Sequence, residues 1–204
     1  MSELPRINIL SNFRRHPAAA ITLASVAFLL LLFGAAIAAG KYPVAVVNGK
    51  ILLASRFDNN YRAASVYVDN LAKSFEGQTE AMKKPTPAEL EAGVLDQLVV
   101  AMLVEEAARR EAGGDLSALV ERKIDDLEIT DEVKRGAETL YGMSFADFRA
   151  EVLVPQAERD ILSGRLYLKG EDVDTWLAGA RRDAKVSIFS SRLKWTDGKV
   201  VAAE

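Results

Sequence analysis

Residues Ala18 to Ala39 form an uncharged, predominantly apolar run, with Arg14, Arg15 and His16 just before it and Lys41 just after. At a rise of about 1.5 Å per residue, a helix of this length reaches roughly 33 Å, enough to cross a hydrocarbon core about 30 Å thick. The run is apolar on every face and has basic flanks, as expected of a membrane span rather than a helix in a soluble core. A cleaved secretory signal is the rival reading, because Ala36, Ile37 and Ala38 put small residues where a signal peptidase would cut. Signal cores usually run only about 7 to 15 residues, which favours the uncleaved anchor. Arg6, Arg14 and Arg15 outnumber Glu3 on the N-terminal side, so the positive-inside rule keeps that end cytoplasmic. The expected organisation is a cytoplasmic N-terminus over 1–17, a transmembrane anchor over 18–39 and an extracytoplasmic domain over 42–204. That is a single-pass protein of the inner (cytoplasmic) membrane with its working domain in the periplasm.

Composition then narrows the chemistry of the exported part. The chain carries 26 Lys plus Arg against 29 Asp plus Glu; removing the 3 bases and 1 acid of residues 1–40 leaves 23 against 28, a net charge near −5. No clustered basic footprint for nucleic acid is implied. There is no cysteine, so disulfides and thiolate metal sites are excluded, and the only histidine, His16, lies before the anchor. A Ser/His or Cys/His nucleophile pair and a histidine-ligated metal site are therefore excluded from residues 42–204. Neither a catalytic residue nor a cofactor is expected.

Along the domain, Tyr42 to Leu52 reads YPVAVVNGKIL, in which Asn48-Gly49 supplies the positive φ angles of a tight hairpin. Ser55 is placed to cap a helix whose apolar residues Phe57, Tyr61, Ala64, Val68, Leu71 and Phe75 recur at spacings of four and three. Gly77 to Pro87 reads as a loop. Thr86-Pro87-Ala88-Glu89 has the form of a capping box with proline at the first helical position. The helix it opens is expected to run to Gly113-Gly114, with an all-round apolar middle, Leu98 to Val104, at the centre of the core.

Two short helices are expected around Leu116–Leu127 and Val133–Tyr141, the second stopping at Gly142. A longer one starts at Ser144 and is kinked or weakened at Pro155, and a last one spans about Asp172 to Asp183. Lys185 to Lys194 (KVSIFSSRLK) reads as strand, and Asp197-Gly198 offers a second turn. Two strands alone are marginal, so Val44–Val47 and Val186–Phe189 are expected to share one sheet that closes the domain at its two ends. The predicted fold is mainly α, with a small β-sheet formed by the segments near residues 44–52 and 185–194.

The charged clusters have ordinary explanations. Glu105-Glu106 and Arg109-Arg110 suit ion pairs four residues apart on a solvated helix face. Asp125, Asp126 and Glu128 lack the glycine and terminal glutamate of an EF-hand, and Asp172 and Asp174 favour a helix N-terminus.

The order of these segments resembles the N-terminal chaperone region of SurA-like, PrsA-like and PpiD-like exported folding factors. The resemblance is carried by VAVVNGKIL, by LDQLVVAMLVEEAARREAGG, by VPQAERDIL and by the returning segment DAKVSIFSSRLKW. It covers roughly Val44 to Trp195. Members often insert parvulin prolyl isomerase domains before the closing helix, but here Leu168-Lys169-Gly170 leads straight into Glu171-Asp172-Val173. Gly113-Gly114-Asp115-Leu116 is only a fragment of the parvulin glycine-rich segment. The resemblance therefore implies holding of unfolded or newly exported polypeptides without isomerase activity, the translocation or envelope machinery being a further possible partner.

The apolar stripe of the first domain helix suits either core or a groove for client chains. If the 77–86 loop lets that helix move against the central one, Tyr61, Val68, Met102 and Leu103 would contact the client. The alternative is a structural or assembly subunit that docks one specific membrane or envelope partner. A carboxylate-based hydrolase has no paired-acid motif to support it.

Overall fold

The computed structural model describes residues 40–75 and 84–203. The expected cytoplasmic segment and anchor, and most of the Gly77–Pro87 loop, lie outside the described residues. No helix among the described residues is long and apolar enough to cross a membrane.

Strand β1 (Pro43–Val47) turns back at Asn48-Gly49 into β2 (Lys50–Leu53). Both turn residues have positive φ, 49° and 83°, as the tight hairpin requires. Helix α1 (Ala54–Ser74) follows without a break. Its N-cap is Leu53, with no side-chain cap, so Ser55 lies inside the first turn instead of capping it. The chain enters α1 directly from the strand, which fixes its start without a polar cap.

The capping box at Thr86 is present in both directions. The Glu89 N–H donates to the Thr86 hydroxyl at 3.2 Å, and the Thr86 N–H donates to the Glu89 carboxylate at 2.7 Å. This opens α2 (Pro87–Ala112), which ends at Gly113. A short 3-10 turn leads to α3 (Leu116–Asp125), and α4 (Asp131–Tyr141) stops at the left-handed Gly142 (φ 62°). Leu127, expected on the third helix, lies beyond its end and is exposed. Asn70 of α1 donates from its amide to the carbonyls of Thr139 and Leu140, satisfying acceptors that the end of α4 leaves open.

Ser144 caps α5 (Phe145–Phe148) by accepting from the Asp147 N–H, and the chain continues through a π turn (Arg149–Leu153) into α6 (Val154–Tyr167). Pro155 accounts for the π turn. It has no N–H to donate and its ring crowds the carbonyl four residues back; widening the preceding turn relieves that crowding without breaking the helix. Asp172 caps α7 (Val173–Asp183), and hydrogen bonds from the Thr175 backbone and hydroxyl hold its carboxyl below the usual range.

Strand β3 (Val186–Ile188) pairs antiparallel with β1, with Ala45 opposite Ile188 and Val47 opposite Val186. The sheet order is β2-β1-β3, so the two ends of the domain meet as the sequence predicts. The expected single strand over 185–194 is corrected: it breaks after Ile188, and β4 (Leu193–Thr196) leaves to pair with β5 (Lys199–Ala202) around the Asp197-Gly198 turn.

Two cores share α2 as their spine. Its N-terminal half contributes Val94, Leu95, Leu98, Val99, Met102 and Leu103 to a core closed by Ala45, Val47 and Leu52 of the sheet and by Leu193 and Val200 of the β4–β5 hairpin. Its C-terminal half contributes Val104, Ala107 and Ala108 to a second core with α3 and α6.

One polar cluster joins α2, α7 and the β4–β5 hairpin. The Asp96 carboxylate accepts from the Arg181 guanidinium at 2.5 Å and from the Val200 N–H at 3.0 Å, while Arg181 Nε donates to the Gly198 carbonyl at 2.7 Å. Arg181 also lies 5.9 Å from the centre of the Trp195 ring. Asp96→Ala removes one carboxylate and strands two donors in a half-buried site, so it is expected to lower the unfolding free energy by about 2 kcal/mol in urea titration. An unchanged midpoint would mean that the hairpin is held by packing alone.

Candidate functional site

A cleft of about 670 Å³ opens between α1, α2 and the π turn with the start of α6. Its apolar lining includes Ala64 and Val68 from α1, Val100 and Ala101 from α2, and Val152 and Pro155 from the late helix. The small side chains come from i, i+4 positions of α1 and neighbouring positions of α2, and their size leaves the hollow between otherwise packed helices.

The cleft has an aromatic side and a polar side. Tyr67 of α1 stacks on Tyr141 at the end of α4, with ring centres 5.1 Å apart, and Tyr141 in turn meets Phe148 at 5.6 Å. On the polar side, one carboxylate oxygen of Glu151 accepts from Arg56 Nε at 2.9 Å and from the Asn60 amide at 3.0 Å. Glu151 belongs to the π turn, so the irregularity around Pro155 lies where α1 is tied to the late helix.

Of the four residues expected to meet a client, Val68 alone lines this cleft. Met102 and Leu103 are 5% and 4% exposed inside the first core, and Tyr61 packs half-buried against the same core beside Phe57. Heptad-like spacing placed these side chains on apolar faces, but one helix carries apolar residues to both the core and the cleft. The cleft-lining residues that spacing did not point to are Arg56, Asn60, Tyr67, Tyr141 and Glu151. Their contacts span up to 95 residues of chain, and only the proline in an otherwise helical pattern signalled an irregularity there.

Two other hollows flank α7. One of about 800 Å³ lies beside Trp176, Leu103 and Arg110, and one of about 910 Å³ lies between α2, α7 and β5. Glu105 pairs with Arg109 at 2.8 Å as expected, but Glu106 accepts from the Asn48 amide at 3.3 Å instead of pairing with Arg110. Among the described residues no cluster of His, Cys, Asp and Glu could hold a metal ion.

Glu158 of α6 is a buried carboxyl, 9% exposed. Burial, reinforced by the Glu105 carboxylate, pushes its pKa up to about 7 against the opposing pull of Arg109, Arg56 and Lys50. It thus faces charged groups from β2, α1 and α2.

The family model described as the SurA-like N-terminal domain matches residues 8–130, more than half of the chain, and no parvulin domain is detected. The match ends in the connection before α4, so the late helix, α7 and the closing strands lie beyond it. No curated protein and no solved structure matches the chain significantly.

Because the folded pKa of Glu158 lies above its unfolded value of 4.5, the folded state binds the extra proton between these pH values. Its contribution to stability is full below about pH 4.5 and is lost as the pH rises through about 7. Glu158→Gln is expected to flatten the dependence of stability on pH in that window and to raise stability at pH 8 by on the order of 2 kcal/mol. Thermal melts of both proteins from pH 5 to 8 check this, and parallel curves would refute it.

Proposed function

The chain belongs to the SurA-like N-terminal domain family, whose character is chaperone-like, and from that premise we propose that it holds unfolded or newly exported polypeptides at the membrane. In this reading residues 18–39 anchor it in the inner membrane and the domain over 42–204 works outside the cytoplasm. The observation that carries the reading is the open cleft between α1, α2 and the late helix, where apolar walls lie beside aromatic rings and hydrogen-bonding groups.

An unfolded chain presents apolar side chains and peptide groups together. Val68, Val100 and Val152 would take up the former, while the rim formed by Arg56, Asn60 and Glu151 can exchange hydrogen bonds with the latter. Weak contacts of both kinds favour many sequences over one. Holding of this kind forms no covalent bond and requires no cofactor or nucleotide.

The full-length chain in lipid nanodiscs is expected to delay aggregation of several chemically different unfolded proteins near stoichiometric ratio without ATP. Tyr67→Glu and Val68→Lys should weaken that effect severalfold while leaving the circular dichroism spectrum unchanged. Proline-limited refolding should not be accelerated. If no client is protected and crosslinking in cells instead recovers one recurrent protein, the assembly-subunit alternative is the better account.

A further inference from the structure

Among the described residues Glu158 is the only buried charged side chain, and its carboxyl accepts no hydrogen bond from any of them. Four charged groups face it: Lys50 of β2, Arg56 of α1, and Glu105 and Arg109 of α2. Where α6 meets α3 and α7 the charges pair with one another instead, Lys123 with Asp160 and Asp174 with Arg159. Seven residues before Glu158, Glu151 of the π turn holds Arg56 through Nε at 2.9 Å on the polar side of the cleft. Arg56 therefore faces two carboxyls of one helical stretch, on the order of 10 Å apart along its axis.

Glu158 changes charge near pH 7. Once ionised it requires a cation, because water is largely excluded from it and Glu105 repels it. Arg109 is already paired with Glu105 at 2.8 Å. Lys50 carries a compact, strongly hydrated ammonium, which resists burial more than a guanidinium does. Arg56 remains, and its present partner can release it. The Glu151 side chain is 18% exposed and keeps the Asn60 amide at 3.0 Å. A charge interaction is stronger in the drier of two sites, so the guanidinium favours Glu158 when both carboxyls are ionised.

We propose that Arg56 passes from Glu151 to Glu158 when Glu158 loses its proton, which bares the Glu151 carboxylate to the cleft and makes it select client segments that carry Lys or Arg. This rests on the client-holding reading given above and adds its regulation. Glu158 is not among the residues that line the cleft, so it acts on a client only by positioning Arg56.

Double-mutant cycles on the full-length chain in nanodiscs, built from Arg56→Met, Glu151→Gln, Glu158→Gln and Lys50→Met and read by urea unfolding at pH 6 and pH 8, follow the guanidinium. Coupling of Arg56 to Glu151 is expected to change the unfolding equilibrium constant severalfold at pH 6 and to vanish at pH 8, where coupling of Arg56 to Glu158 takes its place. An Arg56–Glu151 coupling undiminished at pH 8, or coupling of Glu158 to Lys50 in place of Arg56, would overturn the proposal. Two unfolded peptides, identical except for Lys in one and Gln in the other, give a second readout on the folded protein. The preference of the wild-type chain for the Lys peptide should rise severalfold from pH 6 to pH 8 and stay constant in Glu158→Gln. A preference that is flat in the wild type, or rises equally in the variant, would also overturn the proposal. If the couplings exchange while neither peptide binds, the transfer of Arg56 is upheld and the client-holding reading is overturned.

Discussion

A helix that is apolar all the way round cannot lie on a surface, and the middle of α2 is such a helix. Leu98 to Val104 needs cover on more than one side, and no single neighbour is wide enough to supply it. The sheet and the β4–β5 hairpin cover the first half, and α3 and α6 cover the second. This need brings together segments from the two ends of the domain. The hollow that remains has alanines and valines among its apolar walls, and it lies where these small side chains let α1 and the late helix approach α2 without closing over it.

Asp96, next to the exposed Gln97, is a half-buried charge just before that apolar run. A carboxylate on a helix enclosed by apolar residues requires a partner, and it finds two, the Arg181 guanidinium and the Val200 N–H. The charge therefore selects one arrangement of α7 and the hairpin among the many that apolar packing would tolerate. Glu158 is placed differently, since burial and the nearby Glu105 carboxylate leave its ionised form poorly supported near neutral pH.

Features decided by a few adjacent residues were legible in the sequence. Thr86-Pro87-Ala88-Glu89 and Asn48-Gly49 carry their own hydrogen-bond and φ requirements, and they fold as read. The pairing of β1 with β3 followed from the cost of leaving a strand alone. Reading 185–194 as one strand failed because Ser190-Ser191 does not interrupt the β pattern strongly in sequence, whereas the chain bends there to enter a second sheet; β5 was too short to stand out. The cleft was the least legible part. Met102, Leu103 and Val68 have the same apolar character, and only the packing of α6 and the π turn decides which are buried and which line a wall. The Arg56–Glu151 contact joins residues 95 apart and leaves no local trace.

The β1–β3 pairing has a consequence in time. Asn48 and Lys185, hydrogen-bonded beside that pairing, are 137 residues apart. A chain that emerges N-terminus first can build the β1–β2 hairpin early, but the hairpin waits for its third strand until almost the whole domain has appeared. Closing so long a loop is entropically expensive, and topologies dominated by such contacts fold slowly. Through most of its own synthesis this domain is therefore an incomplete fold with an open strand edge, subject to the same aggregation hazard as any unfinished protein.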